Sequence, residues 1–297
     1  MFESLSRSRT GMRLALAVGR TVPRRAADRF VGFAAGRIAG NADSAVTRAS
    51  RVNQYVVSGG TLTGAALDEA VRANVTNMAR FLYDLYHVVG RPAERDLVIR
   101  DDAWHAFIER ERAEGPFVYS GIHLGDFDLV GRQLGFDGWN MQLLSVADPN
   151  AGYEWQNELR TEAGFEVTPV TIDALKHAAR GLAEGRSVLT GHDRPLLAPD
   201  KVQPRFFGHE APLPLLHVRL AMRAKVPVIA LCAPRDPDGR YRLLASDPIL
   251  MVSEKDDPDA LRVNAERCLA AIEPWIVARP EQWAMPHVVW PGVTVPE

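Results

Sequence analysis

Apolar residues recur at three- to four-residue intervals through most of residues 12–93, a spacing that predicts helices. ADRFVGFAAGRIAG (27–40) has one apolar face with arginines scattered around it, and it stops at Gly40. LDEAVRANVTNMARFLYDLYHVVG (67–90) is a long amphipathic segment with Met78, Phe81, Leu82 and Leu85 in the same rhythm; Gly90 and Pro92 end it. Past residue 93 short apolar runs alternate with helical ones. Strands are predicted over 115–123, 140–146, 165–170, 186–193 and 227–236, with helices over 127–135, 149–165, 171–185 and 212–226. A run at 240–249 returns after an Asp-Pro-Asp-Gly turn as a hairpin partner, and 257–280 reads as a last long helix. This alternation predicts an α/β protein with a mostly parallel central sheet and helices on both faces. A helical N-terminal part, 1–93, is expected to pack on an α/β domain, 94–297, as one structural unit. The chain shows no internal repeat and no low-complexity stretch.

Composition changes little in this picture, but charge does. A formal net charge of −2 over 297 residues excludes nucleic-acid binding by bulk charge. Residues 1–51 nevertheless hold ten arginines against Glu3, Asp28 and Asp43, a local balance of about +7. Such a bias fits an anionic membrane surface or a solvated basic helix face. The two cysteines, Cys232 and Cys268, have no metal-ribbon spacing and imply no disulfide framework. No apolar run reaches the roughly 18–20 residues of a membrane span. MRLALAVG (12–19) is too short for one and lacks the features of a signal peptide.

Candidate chemistry gathers at strand ends, where open α/β sheets bind ligands. His123, in GIHLGDFD, ends the first predicted strand of the sheet, and GHDR (191–194) ends the fourth. A histidine there can act as a general base near neutral pH, given a carboxylate to fix its tautomer. Asp128, five positions on, is within reach in the next helix, while Asp126 suits the cap of that helix. His123, Asp126, Asp128, His192, Asp193 and His209 would also be enough ligands for a metal, but no HxH or HExxH spacing groups them. No GxSxG elbow, GxGxxG loop or P-loop is present, which argues against a serine hydrolase of that kind and against dinucleotide or ATP use.

Four segments together resemble the bacterial lipid A biosynthesis acyltransferase family, which includes late lipid A acyltransferases and phosphatidylinositol mannoside acyltransferases. GIHLGDFD is similar to its HxxxxD block, with His123 and Asp128 in the motif positions. LAEGRSVLTGHDRP resembles a strand end that supplies Asp193 and Arg194. VQPRFFGHEAPLP resembles the FFG block, and ERCLAAIEPWIVARPEQWAMPH the closing segment; Arg160 and Gly164 fit an R-x-x-x-G helix end. The likeness runs over about residues 25–290. After FFG stand His209 and Glu210, where the mannoside enzymes often have an acidic residue. The basic run that many lipid A enzymes carry after QW is missing too, which points nearer the mannoside type.

The resemblance implies a membrane-associated O-acyltransferase that moves a fatty acyl chain from acyl-CoA or acyl carrier protein to a glycolipid hydroxyl. It implies no resident cofactor and no metal. His123 would be the general base and Asp128 its orienting partner. Arg160, Asp193, Arg194, Arg205, His209 and Glu210 would bind substrate, and Phe127, Phe206 and Phe207 would line the acyl pocket. Backbone amides near Gly125 and the Arg194 side chain are the candidate oxyanion donors. The implied location is the cytoplasmic face of the inner membrane, attached peripherally. A non-catalytic lipid-binding relative and a metal-dependent hydrolase are the alternative readings.

Overall fold

The computed structural model describes residues 16, 17, 19–198, 201–252 and 259–296. The basic segment before residue 16, including MRLA (12–15) of the MRLALAVG run, therefore lies outside the described residues. The N-terminal part is helical: α1 (Arg24–Ala39), α2 (Ala45–Val57), α3 (Gly64–Val88) and the short α4 (Ala93–Asp96). On α1, Ala27, Val31 and Ala35 are buried at i, i+4 and i+8, and the helix lies along α3. Next comes α5 (Asp102–Glu114), in a stretch that the pattern of apolar residues leaves unassigned. Only Trp104, Phe107 and Ile108 of this charged helix are buried; its start is set by Asp101, which accepts from the Trp104 amide.

Strand and helix then alternate as expected: β1 (Val118–Gly125), α6 (Phe127–Phe136), β2 (Gln142–Ser145), α7 (Ala151–Glu162), β3 (Glu166–Pro169), α8 (Ile172–Ala183) and β4 (Val188–Gly191). A small hairpin follows, β5 (Arg205–Phe206) with β6 (His209–Glu210), then α9 (Leu216–Ala224), β7 (Val228–Ala233), β8 (Leu244–Ala245) and α10 (Ala260–Ala278), with a 3₁₀ turn at Pro280–Gln282. The hairpin is built on the FFG block. Its two turn residues, Phe207 and Gly208, have φ of 51° and 77°, the twist that a two-residue hairpin turn needs. Phe207 is held in this left-handed conformation by its amide, which donates to Glu273 at 2.6 Å, and by its ring against Trp290.

The six-stranded sheet has the order β3-β2-β4-β1-β7-β8, parallel except for the β7–β8 pair. Helices cover both faces. α6 packs Leu129, Val130 and Leu134 with Tyr119, Leu189 and Ile229. α9 packs Val218 and Ala221 against Val118, Val188 and Val228 on the other face. From β1 the chain leaves toward β2, and from β4 it crosses back over β1 toward β7. The neighbours β1 and β4 therefore flank the place where connections diverge, and the crevice at their carboxyl ends is the expected ligand position.

The cores cross residue 93. Phe81, Leu85 and Val88 of α3 share one cluster with Tyr119 and Ile229 of the sheet, and Val56 and Val57 of α2 share another with Ile122 and Leu124. The helical part therefore lacks a separate hydrophobic interior on the side that meets the sheet.

Candidate active site

Register brings the central pair together. β1 and β4 align Gly121 with Gly191, and two residues further on stand His123, still within β1, and Asp193, just past the end of β4. His123 Nδ1 meets Asp193 Oδ1 at 2.7 Å. The His123 backbone amide donates to Oδ2 of the same carboxylate at 2.8 Å, and the Trp283 indole N–H donates to Oδ2 at 2.9 Å. Asp193 is completely buried, whereas the His123 side chain is 39% exposed. With Nδ1 facing the carboxylate, Nε2 is the ring nitrogen left for a substrate.

The electrostatics follow from this packing. Burial pulls the His123 proton affinity down, but the Asp193 charge and hydrogen bond outweigh it, so the imidazole titrates above its ordinary value. Burial pushes the Asp193 carboxyl up, but His123 and the Trp283 N–H outweigh that, and its titration is held below the carboxylate range.

The structure corrects the sequence expectation for Asp128. Its carboxylate does not orient the imidazole; it binds Arg160, whose Nε and Nη2 reach Oδ1 at 2.8 and 2.7 Å. Asp128 lies at the start of α6 and Arg160 in the last turn of α7, so the pair ties these two helices across the mouth of the site. Arg160 also donates to Asn157 at 2.9 Å and stacks over Tyr153, 5.6 Å from the ring centroid. Arg194 lies over the same ring at 5.6 Å. Tyr153 thus gathers two guanidinium groups beside the His123 crevice, a fork suited to phosphate or another oxyanion.

Other expected residues are distributed more widely. Asp193 does not face substrate, since both of its oxygens are engaged inside the protein. Arg205, His209 and Glu210 are exposed on the β5–β6 hairpin. Phe206 is fully buried among Trp283, Trp290 and Phe207, a packed aromatic cluster. Phe127 lines a narrow apolar recess behind Asp128 and Arg160, with Leu143, Phe165 and Leu189. Asp126 caps α6, accepting from the Leu129 amide at 3.1 Å, as the sequence suggested. The Asp126 amide, an oxyanion candidate next to Gly125, already donates to the Ala233 carbonyl at 3.0 Å. Arg194, the side-chain donor of that expectation, lies over Tyr153.

The candidate metal ligands are not gathered. His192 is buried on Ser120 at 2.5 Å, and burial lowers its titration to about 4, so it stays neutral. His209 is on the surface hairpin. Among the described residues no group of three histidine, cysteine or acidic side chains is placed to hold a metal.

Sequence reasoning passed over Trp283, Tyr86, Tyr153 and His287. Tyr86 of α3 packs edge-on to Trp155 at 5.2 Å, and burial beside Asp128 and Asp126 pushes its phenol up to about 12. His287 is exposed at the surface, and its titration is lowered by partial desolvation and by the charges of Arg194 and His123. Each joins the site from an element distant in sequence, which local periodicity does not report; the WAMPH tail of the closing segment was the one available signal.

A histidine–carboxylate pair at the switch point of an α/β sheet, with two arginines beside it, is an arrangement able to move a proton at a bound hydroxyl. Comparison with known families agrees: the profile described as bacterial lipid A biosynthesis acyltransferase matches residues 11–291. The chain belongs to this family of acyltransferases. No curated protein matches it.

Proposed function

We propose that the protein transfers a fatty acyl chain from acyl-CoA or acyl carrier protein to a hydroxyl of a phosphatidylinositol mannoside-like or lipid A-like glycolipid, with His123 as general base. The observation that carries this reading is the half-exposed imidazole held through Nδ1 on a buried, ionised Asp193. Nε2 takes the proton of the acceptor hydroxyl as its oxygen bonds to the thioester carbonyl carbon. The C–S bond then breaks, and the imidazolium returns the proton to the leaving thiolate. General-base assistance of this kind supplies roughly 10²–10⁴-fold. In this reading Arg194 stabilises the developing oxyanion, and Arg160 with Arg194 holds a phosphate of donor or acceptor; their shared position over the Tyr153 ring supports it.

The test supplies the purified protein with labelled palmitoyl-CoA and total membrane lipid. The expected result is free thiol in step with label in a glycolipid, unchanged by chelator. Label released only as fatty acid would establish a hydrolase instead, loss on chelation would overturn the metal-free reading, and no thiol release from palmitoyl-CoA or from palmitoyl acyl carrier protein would establish a lipid-binding relative.

The same reading places the protein peripherally on the cytoplasmic face of the inner membrane. Among the described residues no helix is long and apolar enough to cross a membrane. What supports surface attachment is α1, whose outer face exposes Phe30 and Phe33 at 59% and 65%. Arg25, Arg29 and Arg37 are exposed on the same helix, and Arg37 lies over the Phe33 ring. Aromatics flanked by arginines suit an anionic lipid interface. The double substitution Phe30→Glu, Phe33→Glu is expected to lower co-sedimentation with anionic phospholipid vesicles at least tenfold and leave the unfolding midpoint in place, because both rings are already solvent-exposed. Undiminished co-sedimentation would remove α1 from the contact.

A further inference from the structure

The closing segment, recognised in sequence but given no task, has its tryptophan inside the site. The Trp283 side chain is 1% exposed, and its only polar atom donates to Asp193 Oδ2. The backbone of the same segment holds β1 as well: Trp283 forms an antiparallel bridge to Leu124, and the Ala284 amide donates to the His123 carbonyl at 2.7 Å. The closing segment therefore touches both members of the pair, the carboxylate through the Trp283 side chain and the histidine through the Ala284 amide.

The segment is itself fixed from the helical part. Asn74 of α3, buried and bonded to Ser50 of α2 at 2.8 Å, donates to the Trp283 carbonyl at 2.8 Å and the Glu281 carbonyl at 3.2 Å. Gln54 donates to the Pro280 carbonyl at 2.8 Å and Asn53 to the His287 carbonyl at 2.9 Å. Three buried amide side chains spread over two helices thus hold one short irregular stretch, whose carbonyls have no partner in a regular ladder.

We propose that Trp283 is a positioning residue for the acyl transfer: its indole N–H, anchored through Asn74, pins Asp193 so that Oδ1 is presented to the His123 imidazole. This rests on the reading of His123 as general base. Two N–H donors, from the His123 backbone and Trp283, converge on Oδ2, which leaves Oδ1 as the oxygen free to accept from Nδ1. Without the indole donor the carboxylate is held on Oδ2 by the His123 amide alone. Less of its charge is neutralised at Oδ2, so more acts on the imidazolium. The imidazolium is then favoured and the histidine titrates higher. The other ionisable groups facing His123 are Arg194 and His192 from the end of β4, Asp128 from α6 and His287 from the closing segment, and Trp283→Phe leaves all of them in place.

The experiment compares wild type, Trp283→Phe and Trp290→Phe in the full chain. Trp290 is a neighbour in the same aromatic cluster whose N–H serves the Phe206 carbonyl instead, so it controls for lost ring volume. NMR titration of His123, assigned by the resonance that His123→Gln removes, is expected to show a midpoint about half a unit or more higher in Trp283→Phe and unmoved in Trp290→Phe. The acid limb of kcat should move with it, and kcat should fall about tenfold with KM nearly constant, the scale of one hydrogen bond to a charged group. An unmoved midpoint in Trp283→Phe, or equal shifts in both variants, overturns the proposal. Should Trp283→Phe fail to fold, the wild-type indole N–H resonance decides: it must respond at the His123 midpoint and lose that response in His123→Gln, and a silent indole overturns the idea. The titration needs no substrate. Retained transfer by His123→Ala would sink the general-base reading and leave the Trp283 result standing.

Discussion

Asp193→Asn is expected to lower kcat by about four orders of magnitude, a loss on the scale of removing His123 itself. The size follows from where the donors stand. The His123 amide and the Trp283 indole both point at Oδ2, so the carboxamide of the variant must place its oxygen there. Its NH₂ group then occupies the Oδ1 position and faces His123 Nδ1. An imidazole that accepts at Nδ1 carries its proton on Nε2, and a protonated Nε2 cannot take a proton from a hydroxyl. The variant therefore keeps the packing and loses the tautomer. Asp128→Asn makes the contrast. It weakens the tie to Arg160 and shifts the guanidinium over Tyr153, but it leaves the Nδ1 partner alone. A change of about tenfold, weighted toward KM, is expected there. Thiol release from palmitoyl-CoA, followed across pH for both variants with His123→Ala as the floor, separates the two carboxylates. A larger kcat loss in Asp128→Asn than in Asp193→Asn would return the orienting role to Asp128.

The divergence between those two aspartates shows what local sequence reveals and what it withholds. His123 at a strand end and Asp126 as a helix cap depend on neighbours within three residues, and both were legible. Asp128 looked like the partner because five residues is a reachable separation in sequence. Asp193 is 70 positions away and meets His123 only because β4 lies beside β1, a matter of sheet order that periodicity does not encode. Both strand ends were nonetheless recognisable as sites, so the pairing required only the order β2-β4-β1. The α5 helix was hidden for a different reason: three buried residues in thirteen give too narrow a stripe to stand out among its charges. The β5–β6 hairpin was hidden because strands of two residues have no period, and its turn uses Phe207 where glycine or asparagine would have been the signal. Trp283 belongs to the same class as Asp193: its effect lies in a contact 90 positions away in sequence.

Gly125→Ala is expected to destabilise the protein by more than about 4 kcal/mol or prevent folding, far beyond an ordinary glycine substitution. Gly125 has φ +81°, and a Cβ built on it would overlap the Ala233 carbonyl and lie 2.7 Å from the Pro234 Cα. The left-handed conformation alone disfavours alanine by about 1–2 kcal/mol. The overlap is with backbone of a central strand, buried on all sides, so β7 cannot move aside without disturbing the sheet. Gly185 supplies the comparison, with φ +86° and nothing within 4 Å of its would-be Cβ. Gly185→Ala should show the conformational part only, about 1–2 kcal/mol in urea unfolding. Near-equal losses in the two variants would mean that the crossing at Ala233 is not tight. The steric demand is tied to function by position. Register between β1 and β7 shifts between Gly121 and Gly125, and His123 lies inside that irregular stretch. An unbroken ladder would keep β1 in step with β7 past its last residues. The bulge and the glycine instead let the chain turn beside Ala233, start α6 at once and leave the imidazole at the rim.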